Sequence, residues 1–183
     1  APLREWDMLT REDEIDYAIE RGIEIPITKE KPYSIDQNIW GCAIECGEME
    51  NLWTEPPADA WMMTKDPITA PSGTFEMTLS FQNGIPVAID GELMDGVTLI
   101  SKLNQIAGLY GIGRIDMVEN RVVGLKSREV YEAPGAVLIH LAHSDLESIV
   151  LDRDTYNHTR QISQIYSNLI YDGKWFGILR PSL

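Results

Sequence analysis

Residues 75–89 read FEMTLSFQNGIPVAI. Phe75, Met77, Leu79 and Phe81 alternate with Glu76, Thr78, Ser80 and Gln82. Side chains of a strand point to opposite faces in turn, so this alternation predicts a half-buried antiparallel strand. Asn83-Gly84 supplies the positive φ values of a tight hairpin turn. Ile85, Val87 and Ile89 return on a second strand. Pro86 has no N–H to give to a ladder and is expected to face outward at a sheet edge.

Helical and extended patterns lie on both sides of this hairpin. Leu99, Ile100, Leu103, Ile106 and Ala107 recur at helical spacing and stop near Gly111. Residues 113–131 then alternate apolar and polar with a break at Gly124, which predicts two strands joined there. Residues 134–151 read as a helix. Asp154 is expected to cap a last helix, with Ile162, Ile165, Tyr166, Leu169 and Ile170 facing inward and Gly173 at its end. The fold class expected is therefore α+β, an antiparallel or mixed sheet with packed helices.

Upstream, Thr10 precedes Glu12, Asp13 and Glu14, a helix start with acids at its positive end. Ile15, Ala18 and Ile19 follow at helical spacing and Gly22 is the stop. Residues 23–27 are expected to form a short strand. Helix then strand is the closing unit of a wound α/β domain, so this segment is expected to belong to a neighbouring domain. The apolar stretch Ile39 to Ile44 is expected to be extended, with Gly41 marking a bulge or a close backbone approach. Pro56, Pro57, Pro67 and Pro71 argue for an irregular connection, with Trp61-Met62-Met63 pinned onto the core.

The 183 residues carry a net charge of −14, which repels nucleic acid. Apolar runs such as Ala136 to Ile139 are too short to span a bilayer. Cys42 and Cys46 are the two cysteines. In one strand they would stand roughly 13 Å apart, too far to bridge, and a cytoplasmic location is expected. His140 and His143 have helical spacing but no further zinc-like pattern accompanies them, so no metal site is expected. Gly111-Ile112-Gly113 is too little for a dinucleotide fingerprint.

The densest polar run is Gly113 to Tyr131, where Arg114 with Asp116, and Glu119 with Arg121, share a face and are expected to pair. A surface laced with such ion pairs is one reading. The other is a pocket for a zwitterion, with Glu119 holding an ammonium and Tyr131 adding a neutral hydrogen bond.

The run GRIDMVENRVVGLKSREVYEAPG at residues 113–135 resembles the signature of argininosuccinate synthases. APLREW at the start, YSIDQNIWG at 33–41, TKDPITAP at 64–71, Ala142-His143 with Leu146-Glu147, and YDGKWF at 171–176 agree, in order. The resemblance implies a ligase that joins citrulline to aspartate at the expense of ATP and magnesium in arginine biosynthesis. It implies that Ser34, Glu119 and Tyr131 contact citrulline. It also implies a homotetramer in the full-length protein. Many relatives have serine at the position of Ala43, a further citrulline contact whose role is not carried over. Many have glycine at the position of Glu129, where no effect on the site is expected. On this resemblance residues 1–33 end the nucleotide-binding domain or link to it, and 34–183 form the synthetase domain. Ala-Pro-Leu-Arg opens the chain as if within a loop, so a piece of a longer enzyme is expected, inactive and without bound ATP on its own. The alternatives are a stand-alone amino-acid-binding or regulatory module without catalysis, and a scaffold whose polar strands are only surface.

Overall fold

The computed structural model describes residues 2–25, 27–28 and 33–183, the side chains of residues 2 and 3 excepted. Helix α1 spans Arg11–Glu20. Its Thr10 cap accepts from the Asp13 N–H at 3.2 Å, and the Asp13 carboxylate accepts from the Thr10 N–H at 2.9 Å. This reciprocal box satisfies two donors that a helix start leaves free. Gly22, at φ 63°, closes the other end, and the Ile23 N–H reaches the Ala18 carbonyl at 2.9 Å. The strand expected at residues 23–27 is not seen among the described residues: 23–25 and 27 are not in a strand, and Pro26 lies outside the described residues. Ile23, Ile25 and Ile27 lie beside Ile15 and Ile19 instead.

Strands β1 (Ser34–Gln37), β2 (Cys42–Glu45), β6 (Arg114–Asn120) and β7 (Lys126–Glu132) make an antiparallel sheet in the order β1-β2-β7-β6. Residues 39–44 are therefore not one extended stretch. The Asn38 side chain accepts from the N–H groups of Trp40 and Gly41 at 2.8 and 3.2 Å, and the chain turns there. The expected close approach at Gly41 is real, since a Cβ there would sit 2.6 Å from the Glu132 carbonyl oxygen. Gly124, at φ 85°, lies in the turn between β6 and β7, as its sequence position predicts.

A second antiparallel sheet holds β3 (Leu79–Gln82), β4 (Ile85–Ile89) and β5 (Glu92–Leu93), in that order. Asn83 and Gly84 have φ of 51° and 78°, the turn that the sequence demands. The first strand is shorter than the alternation suggests, but its line continues as the Thr78 N–H donates to Asp90 at 2.7 Å. Pro86 is not on an edge strand, because β4 is central. It is accommodated because β5 pairs only with Ala88 and Ile89, and because the β3–β4 register shifts between Ser80 and Phe81.

Helices α2 (Gly96–Leu109) and α3 (Pro134–Val150) pack together and onto this second sheet. Ile89, Leu99, Leu103 and Ile139 form its core, with Met77, Leu79 and Phe81 against them. The other core lies under the first sheet: Tyr33, Cys42, Ile44, Met49, Ala60 and Val130, with Trp61 and Met63 packed on it. Residues 53–73 are irregular apart from single turns, and Trp61 and Met63 pin them as expected. Met62 is exposed.

Helix α4 spans Arg153–Tyr171. Its cap is Asp152, whose carboxylate accepts from the N–H groups of Asp154 and Thr155, both at 3.0 Å. Asp154 therefore sits in the first turn rather than at the cap. Of the residues expected inward, only Leu169 is buried, while Ile165 and Ile170 are exposed. Cys42 and Cys46 are free thiols. His140 and His143 meet Trp40 and Phe81 edge-on, at centroid distances of 6.0 and 5.8 Å. Among the described residues no group of three or more His, Cys, Asp or Glu is placed to hold a metal, and no helix is long and apolar enough to cross a membrane.

Candidate functional site

The register of the first sheet decides which side chains meet. Antiparallel partners share a face, and so do residues two apart on one strand. Ser34 is opposite Glu45, Ala43 opposite Tyr131, and Glu119 opposite Ser127. One face thus carries Ser34, Ala43, Glu45, Glu119, Ser127, Glu129 and Tyr131. The other face carries Cys42, Ile44 and Val130 into the core. Strand alternation separates the polar face from the hydrophobic one.

On the polar face the Tyr131 hydroxyl contacts Glu119 Oε2 at 2.5 Å and Glu129 Oε2 at 2.7 Å. The Tyr171 hydroxyl, from the last residue of α4, donates to the other oxygen of Glu119. Arg121 bonds both Glu45 and Glu129, the latter at 2.6 Å, and the Ser127 hydroxyl donates to Glu129 at 2.8 Å. Burial and then the two carboxylates push the Tyr131 phenol above its ordinary range, so it remains a proton donor. The hydrogen bond to Glu119, ahead of burial, does the same to Tyr171. Burial alone would raise Glu129, but hydrogen bonds from Tyr131 and Ser127 outweigh it and hold the carboxyl below its ordinary value. Arg121 is held more firmly protonated by Glu45 first and Glu129 second.

Two expected ion pairs do not form. Arg114 donates to the Thr64 hydroxyl and carbonyl at 2.7 and 3.0 Å. Asp116 instead takes a two-pronged bond from Arg128, at 2.9 and 2.7 Å. Arg121 binds Glu45 and Glu129, which leaves Glu119 to the tyrosines. The partners chosen lie on other strands and on the loop at Thr64, so tertiary contacts rather than same-strand spacing decide these pairs.

Glu119 and Tyr131 are thus in direct contact, and Ser34 lies on their face. By strand spacing the Ser34 and Tyr131 backbones stand roughly 12 Å apart, with Ala43 between their strands. Glu129 does bear on the site, contrary to expectation, because it shares the Tyr131 hydroxyl with Glu119. The signal was available: residues 127, 129 and 131 share a face. Tyr171 carried no such signal, since it reaches the sheet across 52 residues.

Three carboxylates (Glu45, Glu119, Glu129) and one guanidinium (Arg121) give this cluster a formal charge of −3 + 1 = −2. Tyr131 has one hydroxyl proton for two carboxylate oxygens, so the cluster has more acceptors than donors. Such a face suits a cation that brings several N–H groups, and an ammonium brings three.

The first sheet thus presents an acceptor-rich polar face on a small α+β unit. Residues 33–183 match the family model described as arginosuccinate synthase C-terminal domain, and the chain belongs to that family. Over all 183 residues it is 50% identical to the argininosuccinate synthases of Chlorobaculum parvum and Chlorobaculum tepidum. It is 51% identical to that of Chlorobium limicola. In each case the match covers 100% of this chain and 46% of the relative. The chain spans about half the length of the curated relatives it matches.

Proposed function

We propose that this chain is the citrulline-binding part of an argininosuccinate synthase, with Ser34, Glu119 and Tyr131 as its contacts to citrulline. The observation that carries this reading is the single sheet face that joins Glu119 to Tyr131 and includes Ser34. Identity to synthases along the whole chain supports a ligase over a stand-alone binding module.

In the complete enzyme the citrulline ureido oxygen attacks the α-phosphorus of ATP and pyrophosphate leaves. The aspartate amine then attacks the activated ureido carbon and AMP leaves. The residues of this chain bind and orient. Glu119 holds the α-ammonium, with Tyr131 fixing the carboxylate from one side. Ser34 supplies a hydroxyl at the far side of the face. Holding citrulline in one pose removes translational and rotational freedom from the attack, a large share of what such sites contribute. ATP with its magnesium, and aspartate, are held by the rest of the enzyme. The charge of −2 on this cluster is the wrong sign for a triphosphate. On the same reading residues 1–33 end the nucleotide-binding domain or link to it, residues 34–183 are the synthetase domain, and the enzyme is a cytoplasmic homotetramer.

Glu119→Gln in the complete enzyme tests the pocket. It removes the counter-charge of the ammonium and nothing from ATP. Citrulline affinity is expected to fall about 10- to 150-fold, from the roughly 1.5–3 kcal/mol of a charge-assisted hydrogen bond. ATP affinity is expected to stay within about twofold. Equal weakening of both ligands would mean a folding defect or a wrong pocket. The chain by itself is expected to form no argininosuccinate from ATP, citrulline and aspartate. Turnover by the purified chain, free of full-length enzyme, overturns that division of labour.

A further inference from the structure

We propose that Tyr171 is a positioning residue for citrulline: its hydroxyl, together with that of Tyr131, clamps the Glu119 carboxylate in the orientation that receives the ammonium. This rests on the proposed function above and assigns the end of α4 a part in it. Tyr131 takes Oε2 of Glu119 and Tyr171 takes Oε1. A carboxylate has about four acceptor positions. Two phenols occupy one on each oxygen, and two remain for an ammonium without displacing either tyrosine. A glutamate side chain free to rotate would lose conformational entropy on binding, and a carboxylate already held has less to lose.

The fold delivers Tyr171 to this place by specific means. Leu169 is the single buried residue of α4, and it lies two residues before Tyr171. The final turn is closed by Gly173 at φ 68°, with the Asp172 N–H on the Asn168 carbonyl and the Lys174 N–H on the Leu169 carbonyl, both at 2.9 Å. The end of the helix that holds its buried residue is the end that touches Glu119, while nearer its start Tyr156 meets the Ser144 hydroxyl of α3 at 3.2 Å. Tyr171 itself is 50% exposed. A surface phenol that served only stability would have little to contribute, so its effect on ligand binding separates the two roles.

The experiment is Tyr171→Phe in the complete enzyme, alone and combined with Glu119→Gln. Tyr171→Phe keeps the ring and removes only the hydroxyl. The KM for citrulline is expected to rise roughly three- to tenfold, the scale of one hydrogen bond. The kcat at saturating citrulline, and the KM values for ATP and aspartate, are expected to stay within about twofold. The Tm is expected to move by less than about 2 °C, as for other surface changes. In the Glu119→Gln background the Tyr171→Phe change is expected to have no further effect, because Tyr171 acts through that carboxylate. An unchanged citrulline KM in Tyr171→Phe, with Glu119→Gln still weakening citrulline, overturns the role of Tyr171 and leaves the proposed function standing. Full additivity of the two changes also overturns it, as does a matching loss for all three substrates with a fall in Tm. If Glu119→Gln itself leaves citrulline binding intact, the pocket assignment fails and the clamp with it.

Discussion

Glu132→Ala is expected to lower the unfolding free energy of this chain by about 3–5 kcal/mol, the cost of breaking a buried charged network by removing one side. Glu132 ends β7 and is fully buried. Its carboxylate accepts from the N–H groups of Met62, Met63 and Thr64 at 2.6, 2.9 and 2.9 Å. It also accepts from the Thr64 hydroxyl at 2.6 Å, and that hydroxyl in turn accepts from Arg114 Nε at 2.7 Å. One anion thus satisfies four donors of a loop that makes no ladder of its own. Truncation leaves three backbone N–H groups without acceptors and a void beside Cys42. The shift in the urea midpoint measures the effect. Faster trypsin cleavage after Lys65 reports whether the loop itself is released. A loss below about 1 kcal/mol would show that the loop finds other acceptors. Glu132→Gln is the finer probe, since it keeps the volume but turns an acceptor into a donor facing N–H groups.

Features decided by near neighbours were readable from the sequence. The Asn83-Gly84 turn, the Thr10 cap, the Gly22 and Gly173 stops and the break at Gly124 each depend on residues within one turn of the chain. The errors fall where a local signal had two solutions. Asp152 and Asp154 are both capping residues, and the choice fell to Asp152, whose carboxylate also accepts the Thr155 hydroxyl at 2.6 Å. Residues 39–44 have strand composition, but the Asn38 side chain offers the backbone a turn instead. Residues 23–27 have a strand's alternation, but the described ones, 23–25 and 27, join no sheet, and periodicity says nothing about partners. The inward face expected of α4 is largely exposed for the same reason: amphipathicity describes a helix and not what covers it.

The site divides the same way. Glu119 and Tyr131 were legible because a long signature run places them, and the β6–β7 register then brings them into contact. Tyr171 and the Glu132 clamp were not, because each joins segments 52 or more residues apart. Glu129 is legible too, since it stands two residues from Tyr131 on one strand. A buried carboxylate on the same face as Tyr131 shares its hydroxyl, whatever residue relatives carry there.

Gly113→Ala is expected to cost about 2–6 kcal/mol, from roughly 1–3 kcal/mol of backbone strain and a similar amount of overpacking. Gly111-Ile112-Gly113 is no phosphate loop, and its second glycine has a different task. Gly113 has φ 102°, a value open to glycine and strained for alanine. A Cβ there would lie 2.5 Å from Pro134 Cα, 2.6 Å from Pro134 N and 2.9 Å from the Ala133 carbonyl carbon. All three are backbone atoms, so no side chain can swing away to relieve the clash. The approach is also tied, because the Ala133 N–H donates to the Gly113 carbonyl at 2.9 Å. β6 begins at the next residue, and α3 begins at Pro134. A shift here therefore moves the strand that carries Glu119 against the end of the strand that carries Tyr131. Gly124→Ala is the control: its φ is 85°, but nothing lies within 4 Å of an added Cβ. It should cost only the conformational share, about 1–2 kcal/mol. Equal losses at the two glycines would show that backbone strain alone matters and that the close approach of α3 to β6 yields without penalty.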